Sequence, residues 1–195
     1  MLHHVKLIFV FSVFVFTSTQ FTFASLERNI VSVGNFSAKQ LTGWKEKSFE
    51  GNTEYSLKQQ HGNYILEATA DNSASALYKR LTIDLNKTPY LNWSWSVTTG
   101  LPPQQEQAKE GDDYAARIYV IVKLGALPWQ TFALNYVWSS NTQKSQAWPN
   151  AFVKNAIMIP KRSSVDPNGE WIHEKVNVQE DLKKYLGKNL SLIHI

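Results

Sequence analysis

Three segments of alternating apolar and polar residues dominate the middle of this chain: Tyr90-Leu-Asn-Trp-Ser-Trp-Ser-Val97, Asp113-Tyr-Ala-Ala-Arg-Ile-Tyr-Val-Ile-Val122 and Thr131-Phe-Ala-Leu-Asn-Tyr-Val-Trp138. Successive side chains of a β-strand point to opposite faces of the sheet, so each segment predicts a strand with one apolar and one polar face. In the second segment, the alternation places Tyr114 in the core and Arg117 and Tyr119 outside it. We therefore predict a sheet whose polar face is available as a binding surface.

Shorter strand patterns lie on both sides of these segments. A hairpin is predicted around His61-Gly-Asn63, because Gly and Asn tolerate the positive φ of a tight turn. Only residues 179–186 have a helical pattern, which ends at Gly187. The pattern predicts an all-β protein, a single β-sandwich with one short C-terminal helix. The further strands are predicted at residues 30–36, 44–49, 54–59, 64–70, 74–85, 151–160 and 171–178.

Residues 1–24 have the pattern of a secretion signal. His3, His4 and Lys6 form a weakly basic start, residues 7–16 are apolar except for Ser12, and a polar segment ends at the small Ala24. The apolar run is about ten residues, whereas a bilayer span needs roughly 20. We expect cleavage after Ala24, no membrane span in the mature chain, and export to the periplasm or the extracellular space. Residues 25–195 are expected to form the sandwich domain.

Composition and motifs argue against several functional classes. The chain has 20 Lys and Arg residues against 16 Asp and Glu, and the basic residues are scattered, so nucleic-acid binding is not expected. It has no cysteine, which excludes disulfides, thiolate zinc sites and a cysteine nucleophile. No nucleophile elbow, HExxH, phosphate-binding or dinucleotide glycine pattern is present. We therefore predict no catalytic residue, no metal and no cofactor, and an enzyme is the less favoured reading.

Arg117 is the leading candidate for a functional residue. An arginine in the middle of a strand rich in Val and Ile must be paired or lie on an open face. Asp113 shares its face but lies roughly 13 Å along an extended strand, so a partner from a neighbouring strand is expected. Two interpretations remain open: an ion pair that closes the sandwich, or a polar cluster that contacts a ligand. The candidate ligand-binding residues are Asn92, Asp113, Arg117, Tyr119 and Asn135.

The irregular segment 98–112 precedes this strand. A loop of this length is either a flap over the polar face or a plain connection. Asp112 and Asp113 offer oxygen ligands to calcium, but neighbouring strand residues point to opposite faces, so a metal site is not predicted there.

Several of these segments resemble a bacterial family of secreted proteins, known only as domain of unknown function 3047. The resemblance extends from about residue 44 to residue 187 and implies a jelly-roll sandwich of the carbohydrate-binding-module or galactose-binding type. In that family the helix is followed by a strand with an Asp-x-Asp motif and by another strand. Here only residues 188–195 follow, so the C-terminal strands are expected to be missing and residues 191–195 to be non-native. The matching segments are Trp93-Ser-Trp-Ser-Val97, Gly111-Asp-Asp-Tyr-Ala-Ala-Arg-Ile-Tyr-Val120, Leu134-Asn-Tyr-Val-Trp138, Trp171 and Asp181-Leu-Lys-Lys-Tyr-Leu-Gly187.

The function predicted from these features is a non-catalytic module that binds a glycan or another component of the cell envelope. One alternative is a carbohydrate-active hydrolase that uses carboxylates near Arg117. The other is a structural envelope protein whose polar face packs against a partner.

Overall fold

A computed structural model describes residues 29–127, 129–142 and 146–194, and the predicted signal at residues 1–24 lies outside the described residues. Strands account for 43% of the structure and helices for 9%, which confirms the predicted all-β sandwich with one short C-terminal helix. Within these described ranges two 3-10 turns occur, at Phe36–Ala38 and Lys109–Gly111. The strands are β1 (Lys45–Glu50), β2 (Glu54–Gln60), β3 (Asn63–Thr69), β4 (Ala74–Tyr78), β5 (Thr82–Asp84), β6 (Tyr90–Trp95), β7 (Ala116–Lys123), β8 (Thr131–Trp138), β9 (Trp148–Pro149), β10 (Ala156–Arg162), β11 (Ile172–Asn177) and β12 (Leu192–His194), and the helix is α1 (Val178–Leu186).

In the part of the chain that the structure describes, four strands form the central sheet in the order β7-β8-β10-β9. Strand β8 pairs antiparallel with β7 and parallel with β10. Tyr119 lies opposite Asn135, and Asn135 lies opposite Met158, so these side chains share one face of the sheet. Arg117 is two residues before Tyr119 and projects from the same face, as the alternation predicts. We call this face the outer face, because the opposite face carries the main core.

The inner face of the central sheet packs against the antiparallel pair β6 and β11. Aromatic rings join the two layers: the ring centroids of Trp93 and Tyr136 are 5.5 Å apart. The centroids of Trp95 and Trp138 are also 5.5 Å apart. These large rings bury much apolar surface, so the contact between the layers stabilises the sandwich.

Helix α1 closes the core with Leu182, which is fully buried. It begins within one residue of its predicted start, where the Asn177 side chain accepts a hydrogen bond from the Glu180 N–H at 3.2 Å. It ends as predicted at Gly187, whose φ of 74° is readily adopted by glycine. Among the described residues, no helix is both long and apolar enough to cross a membrane.

The outer face is more covered than the alternation predicts. Val137, Trp148 and Met158 form a second buried cluster on this face, and Tyr114 packs against it. The prediction that Tyr114 enters the main core is therefore wrong. Strand β7 begins only at Ala116, and the irregular backbone before it releases Tyr114 from the strand alternation.

Two strand predictions in the first half of the chain are also wrong. Residues 30–34 form no strand, and Ile30 is 79% exposed because no strand of the described ranges pairs with this segment. The predicted strand at residues 74–85 is two strands, since β4 pairs with β1 whereas β5 pairs with β12. The predicted hairpin is confirmed as β2 and β3, with φ of 49° at His61 and 84° at Gly62 in its turn.

The last described residues belong to the folded structure. Strand β12 pairs antiparallel with β5, and Ile193 is 2% exposed within the main core. The Leu85 N–H donates to the Ser191 carbonyl oxygen at 2.7 Å. Residues 191–194 therefore contribute both backbone hydrogen bonds and apolar burial to this end of the sandwich.

Candidate functional site

Arg117 is held at the start of β7 by two neighbours in the sequence. Its Nη2 donates to the carbonyl oxygen of Asp112 at 3.2 Å and to the Oδ1 of the same residue at 3.3 Å. Its Nη1 donates to the hydroxyl oxygen of Tyr119 at 2.9 Å. Only 18% of the Arg117 side chain is exposed, so the Asp112 carboxylate offsets much of the cost of burying the guanidinium charge.

Two tyrosine rings flank the Arg117 guanidinium. Its Cζ lies 4.4 Å from the ring centroid of Tyr114 and 5.4 Å from that of Tyr119, both within the range of cation–π contact. Burial raises the pKa of the Tyr114 hydroxyl above its ordinary value, and the negative charge of Asp112 raises it further. The hydroxyl therefore stays protonated and donates to the Glu106 carbonyl oxygen at 3.3 Å. We call Asp112, Tyr114, Arg117 and Tyr119 the arginine cluster.

Asp112 also fixes a second loop. Its Oδ2 accepts a hydrogen bond from the Nδ2 of Asn150 at 2.8 Å. The Oδ1 of Asn150 in turn accepts from the backbone N–H groups of Phe152 and Val153, each at 3.0 Å. The arginine cluster therefore connects the turn before β7 to the loop between β9 and β10.

The prediction that a neighbouring strand supplies the Arg117 partner is wrong. The partner is Asp112, because the chain turns at Lys109–Gly111 and leads this carboxylate back to the guanidinium. Asp113, which the alternation placed on the same face as Arg117, is exposed and accepts a hydrogen bond from the Tyr114 N–H at 2.9 Å. The sequence feature that indicates this ion pair is the presence of two adjacent acidic residues, Asp112 and Asp113. A turn in front of the strand can direct either carboxylate towards Arg117.

Four of the five candidate residues lie on the outer face or at its border. Arg117 and Tyr119 are in contact, and Asp113 lies just before the same strand. Asn135 lies opposite Tyr119 but is only 2% exposed. Its Nδ2 donates to the Ile157 carbonyl oxygen at 3.3 Å, and its Oδ1 has no hydrogen-bond partner in the described part of the chain. Asn135 therefore lies beneath the surface that Arg117 and Tyr119 form.

Asn92 lies apart from the other candidate residues. It is on β6, in the other layer, where it pairs with Lys175 of β11. Its neighbour Trp93 packs inward against Tyr136, so the exposed Asn92 side chain points away from the central sheet. The alternation identified its exposure but could not reveal that β6 belongs to a different sheet from β7 and β8.

The buried carboxylate of Glu106 was not predicted from the sequence. This residue is 4% exposed, and its Oε1 accepts hydrogen bonds from the backbone N–H of Ser140 at 2.6 Å and from the Ser140 hydroxyl at 2.9 Å. The Ser139 hydroxyl lies 3.0 Å from Oε1 and 2.9 Å from Oε2. These contacts fix the 98–112 loop to the end of β8, so the geometry favours a connection over a flap.

A cleft of about 420 Å³ opens beside this anchor. Side-chain amides dominate its lining, and such groups both donate to and accept from hydroxyl-bearing ligands. The lining contains no member of the arginine cluster. It consists of Gln104, Gln105, Glu106, Gln107, Ala108, Asn141 and Trp148.

A second arginine, Arg162, forms an ion pair between the two layers. Its Nε donates to the Glu174 Oε1 at 2.5 Å, and its Nη1 donates to the Asp166 Oδ1 at 3.3 Å. Glu174 is 5% exposed on β11, whereas Arg162 ends β10. Removing Glu174 or Arg162 would leave a buried charge uncompensated, so the intact pair stabilises the contact between the layers.

Ser139 and Ser140 both donate to the carboxylate of Glu106, an arrangement that satisfies the hydrogen-bonding capacity of a buried carboxylate. All three residues are buried. In the described ranges, no group of three or more His, Asp or Glu side chains is placed to hold a metal ion.

The family model described as "Protein of unknown function (DUF3047)" matches residues 42–195. The match includes both layers of the sandwich, the arginine cluster and β12. No curated protein matches the chain. Since the family model covers most of the sequence, the resemblance noted in its strand motifs is confirmed, and the chain belongs to the DUF3047 family.

Proposed function

We propose that the protein is an exported, non-catalytic module that binds a glycan or another cell-envelope component through Arg117 and Tyr119. The observation that carries this proposal is the fixed ring of Tyr119. The residue is 38% exposed, and the Arg117 guanidinium holds its hydroxyl at 2.9 Å. An aromatic ring fixed at the surface offers an apolar platform to the C–H face of a sugar, and little side-chain freedom is lost on binding.

Arg117 supplies hydrogen-bond donors at the edge of this platform. Its Nε–H and one Nη1–H have no partner within the described residues, while Asp112 and Tyr119 fix the plane of the group. A planar guanidinium suits sugar hydroxyls, carboxylates and phosphates, which are common in envelope polymers. The exposed carboxylate of Asp113 adds an acceptor at the start of the same strand.

Export is part of the proposal and is supported by the pattern of residues 1–24. The basic start, the short apolar run and the small residue at Ala24 are typical of a cleaved secretion signal. Absence of the protein from the periplasmic and secreted fractions of its source cells would contradict this part.

The test compares two exposed tyrosines that each face a cation. Tyr119→Ala removes the platform, whereas Tyr90→Ala removes a ring on β6 that is 51% exposed and lies 4.5 Å from the Nζ of Lys175. Retention on insoluble peptidoglycan and on immobilised polysaccharides is measured for both variants and the wild type. We expect Tyr119→Ala to lose retention and Tyr90→Ala to keep it. Equal retention of the two variants would contradict the proposal.

The second candidate function is that of a structural envelope protein. The observation that favours it is that Asp112 joins Arg117 to Asn150, so the cluster itself connects two loops. This alternative predicts that Tyr119→Ala leaves retention unchanged, while variants of Arg117 still lower stability.

A further inference from the structure

The hairpin between β7 and β8 ends in exposed apolar residues. Its connecting sequence is Leu124-Gly-Ala-Leu-Pro-Trp129, which contains no charged side chain. Leu124 is 36% exposed, Leu127 is 46% exposed and Trp129 is 69% exposed. An exposed tryptophan beside two leucines is an unusual feature for a surface that contacts only water.

A second apolar loop lies at the same end of the central sheet. Strand β10 runs parallel to β8, so the loop before β10 lies beside the start of β8. The Ala133 N–H donates to the Asn155 carbonyl oxygen of this loop at 2.9 Å. In this loop Phe152 is 61% exposed and Val153 is 55% exposed. We call Leu124, Leu127, Trp129, Phe152 and Val153 the apolar tip.

Several backbone N–H groups of the two loops have hydrogen-bond partners within their own loop. In the hairpin, the Leu124 N–H donates to the Gln130 carbonyl oxygen at 2.7 Å, and the Leu127 N–H donates to the Gln130 Oε1 at 3.1 Å. In the other loop, the Asn150 side chain accepts from two backbone N–H groups. Unpaired backbone donors are costly in surroundings of low polarity, so this pairing lowers the cost of transferring the loops out of water.

Exposed lysines lie beside the apolar tip. Both loops belong to a stretch of sequence, between Asp113 and Asp166, that contains no acidic residue. Lys123 and Lys154 lie in or beside the two loops and are exposed, and the Nζ of Lys109 is 5.6 Å from the ring centroid of Phe152. Tryptophan and leucine flanked by lysine form the combination that favours the interface of a bilayer with anionic headgroups.

We propose that the apolar tip inserts into the headgroup region of a bilayer that contains anionic lipids. The flanking lysines favour this occupant over a second copy of the chain, because two tips in contact would bring like charges together. The proposal does not rest on the proposed glycan-binding function, since the apolar tip shares no residue with the arginine cluster.

The first test measures whether Trp129 enters the bilayer. The full chain is mixed with vesicles of phosphatidylcholine alone or of phosphatidylcholine and phosphatidylglycerol at about 3:1. In both kinds of vesicle the lipids carry brominated acyl chains, which quench tryptophan fluorescence. All seven tryptophans lie at or after Trp44, so quenching reports on the sandwich and not on the N-terminal segment. We expect the anionic vesicles to quench the tryptophan fluorescence of the wild type, and we expect this quenching to be lost in Trp129→Phe. Equal quenching of wild type and Trp129→Phe, or none of either, would overturn the proposal.

The second test compares variants by co-sedimentation with the same vesicles. Trp129→Ser/Phe152→Ser should reduce the partition coefficient about tenfold or more, because both rings leave water on insertion. The control Trp171→Ser/Phe49→Ser removes two rings that are 45% and 64% exposed elsewhere, and it should bind like the wild type. Equal losses in the two double variants would contradict insertion by the tip.

The third test measures whether the lysines contribute to lipid binding and whether a second copy of the chain binds the tip instead. Lys123→Gln and Lys154→Gln should each weaken binding to anionic vesicles about fivefold, with little change for Lys47→Gln or Lys183→Gln on β1 and α1. Sedimentation in the absence of lipid should give the same molecular mass for the wild type and the Trp129→Ser/Phe152→Ser variant. A dimer that only the wild type forms would identify the tip as a self-interface and overturn the proposal.

Discussion

Asp112 and Arg117 form an ion pair across the irregular segment that leads into β7, with Oδ1 and Nη2 3.3 Å apart and only 9% and 18% of the two side chains exposed. Because the same carboxylate also accepts a hydrogen bond from Asn150, this pair connects the edge strand of the central sheet to the loop before β10. Arg117 therefore helps to hold these two parts of the structure together, in addition to its proposed role in binding.

Replacing Arg117 by Ala should lower the free energy of unfolding by about 3 kcal/mol, because the largely buried Asp112 carboxylate loses its counter-charge. Arg80→Ala, which removes an exposed arginine, is the control and should change stability little. Denaturant unfolding of both variants measures the difference. The further variant Asp112→Ala/Arg117→Ala should lose less than the sum of the two single variants, and simple additivity would refute the proposed coupling.

Glu106→Gln should destabilise the 98–112 loop, since one amide oxygen cannot accept all the hydrogen bonds that Ser139 and Ser140 donate to the carboxylate. We expect a loss of about 2 kcal/mol in unfolding free energy and faster amide hydrogen exchange across this loop. The neighbouring Glu110→Gln is the matched control, because Glu110 is exposed. Unchanged exchange in Glu106→Gln would show that the carboxylate does not anchor the loop.

Tyr136 should make stability sensitive to alkaline pH. Burial raises the pKa of its hydroxyl above the ordinary value, and the adjacent Asp181 carboxylate, which accepts its hydrogen bond at 2.8 Å, raises it further. A group whose pKa is higher in the folded than in the unfolded state stabilises the fold at any pH below its unfolded pKa. For a tyrosine this contribution declines as the pH rises above about 10. Tyr136→Phe should therefore reduce the loss of stability between neutral and strongly alkaline pH.

Thermal melting at a series of pH values measures this effect, with Tyr90→Phe as the exposed control. At neutral pH, Tyr136→Phe should cost about 1 kcal/mol for the lost hydrogen bond. An alkaline pH dependence identical to that of the wild type would contradict the assigned role of Tyr136.

Strand β8 shows how much of this fold the sequence predicts. Its observed bounds, Thr131–Trp138, are those of the alternating segment, because Phe132, Leu134 and Tyr136 all enter one core. The helix was equally predictable, since Asn177 and Gly187 supply local start and stop signals. Such signals act within a few residues and do not depend on which strands become neighbours.

The arginine cluster was only partly predictable, because its contacts depend on which segments of the chain become neighbours. The alternation placed Arg117 and Tyr119 on one face, but the partner Asp112 depends on how the chain turns before β7. The separation of Asn92 depends on which sheet β6 joins, and the burial of Glu106 depends on contact with the end of β8. These are long-range consequences of topology, which a pattern of period two does not encode.

The most direct test of the proposed binding site is a map of backbone amide chemical shifts during titration with a soluble form of the polysaccharide that retains the protein. We expect the largest changes along β7, at the amides of Asp113, Tyr119 and Ile121, and their loss in Tyr119→Ala. Changes centred on Tyr90 and Asn92 of β6, or a titration that leaves β7 unaffected, would contradict ligand binding at the Arg117–Tyr119 surface.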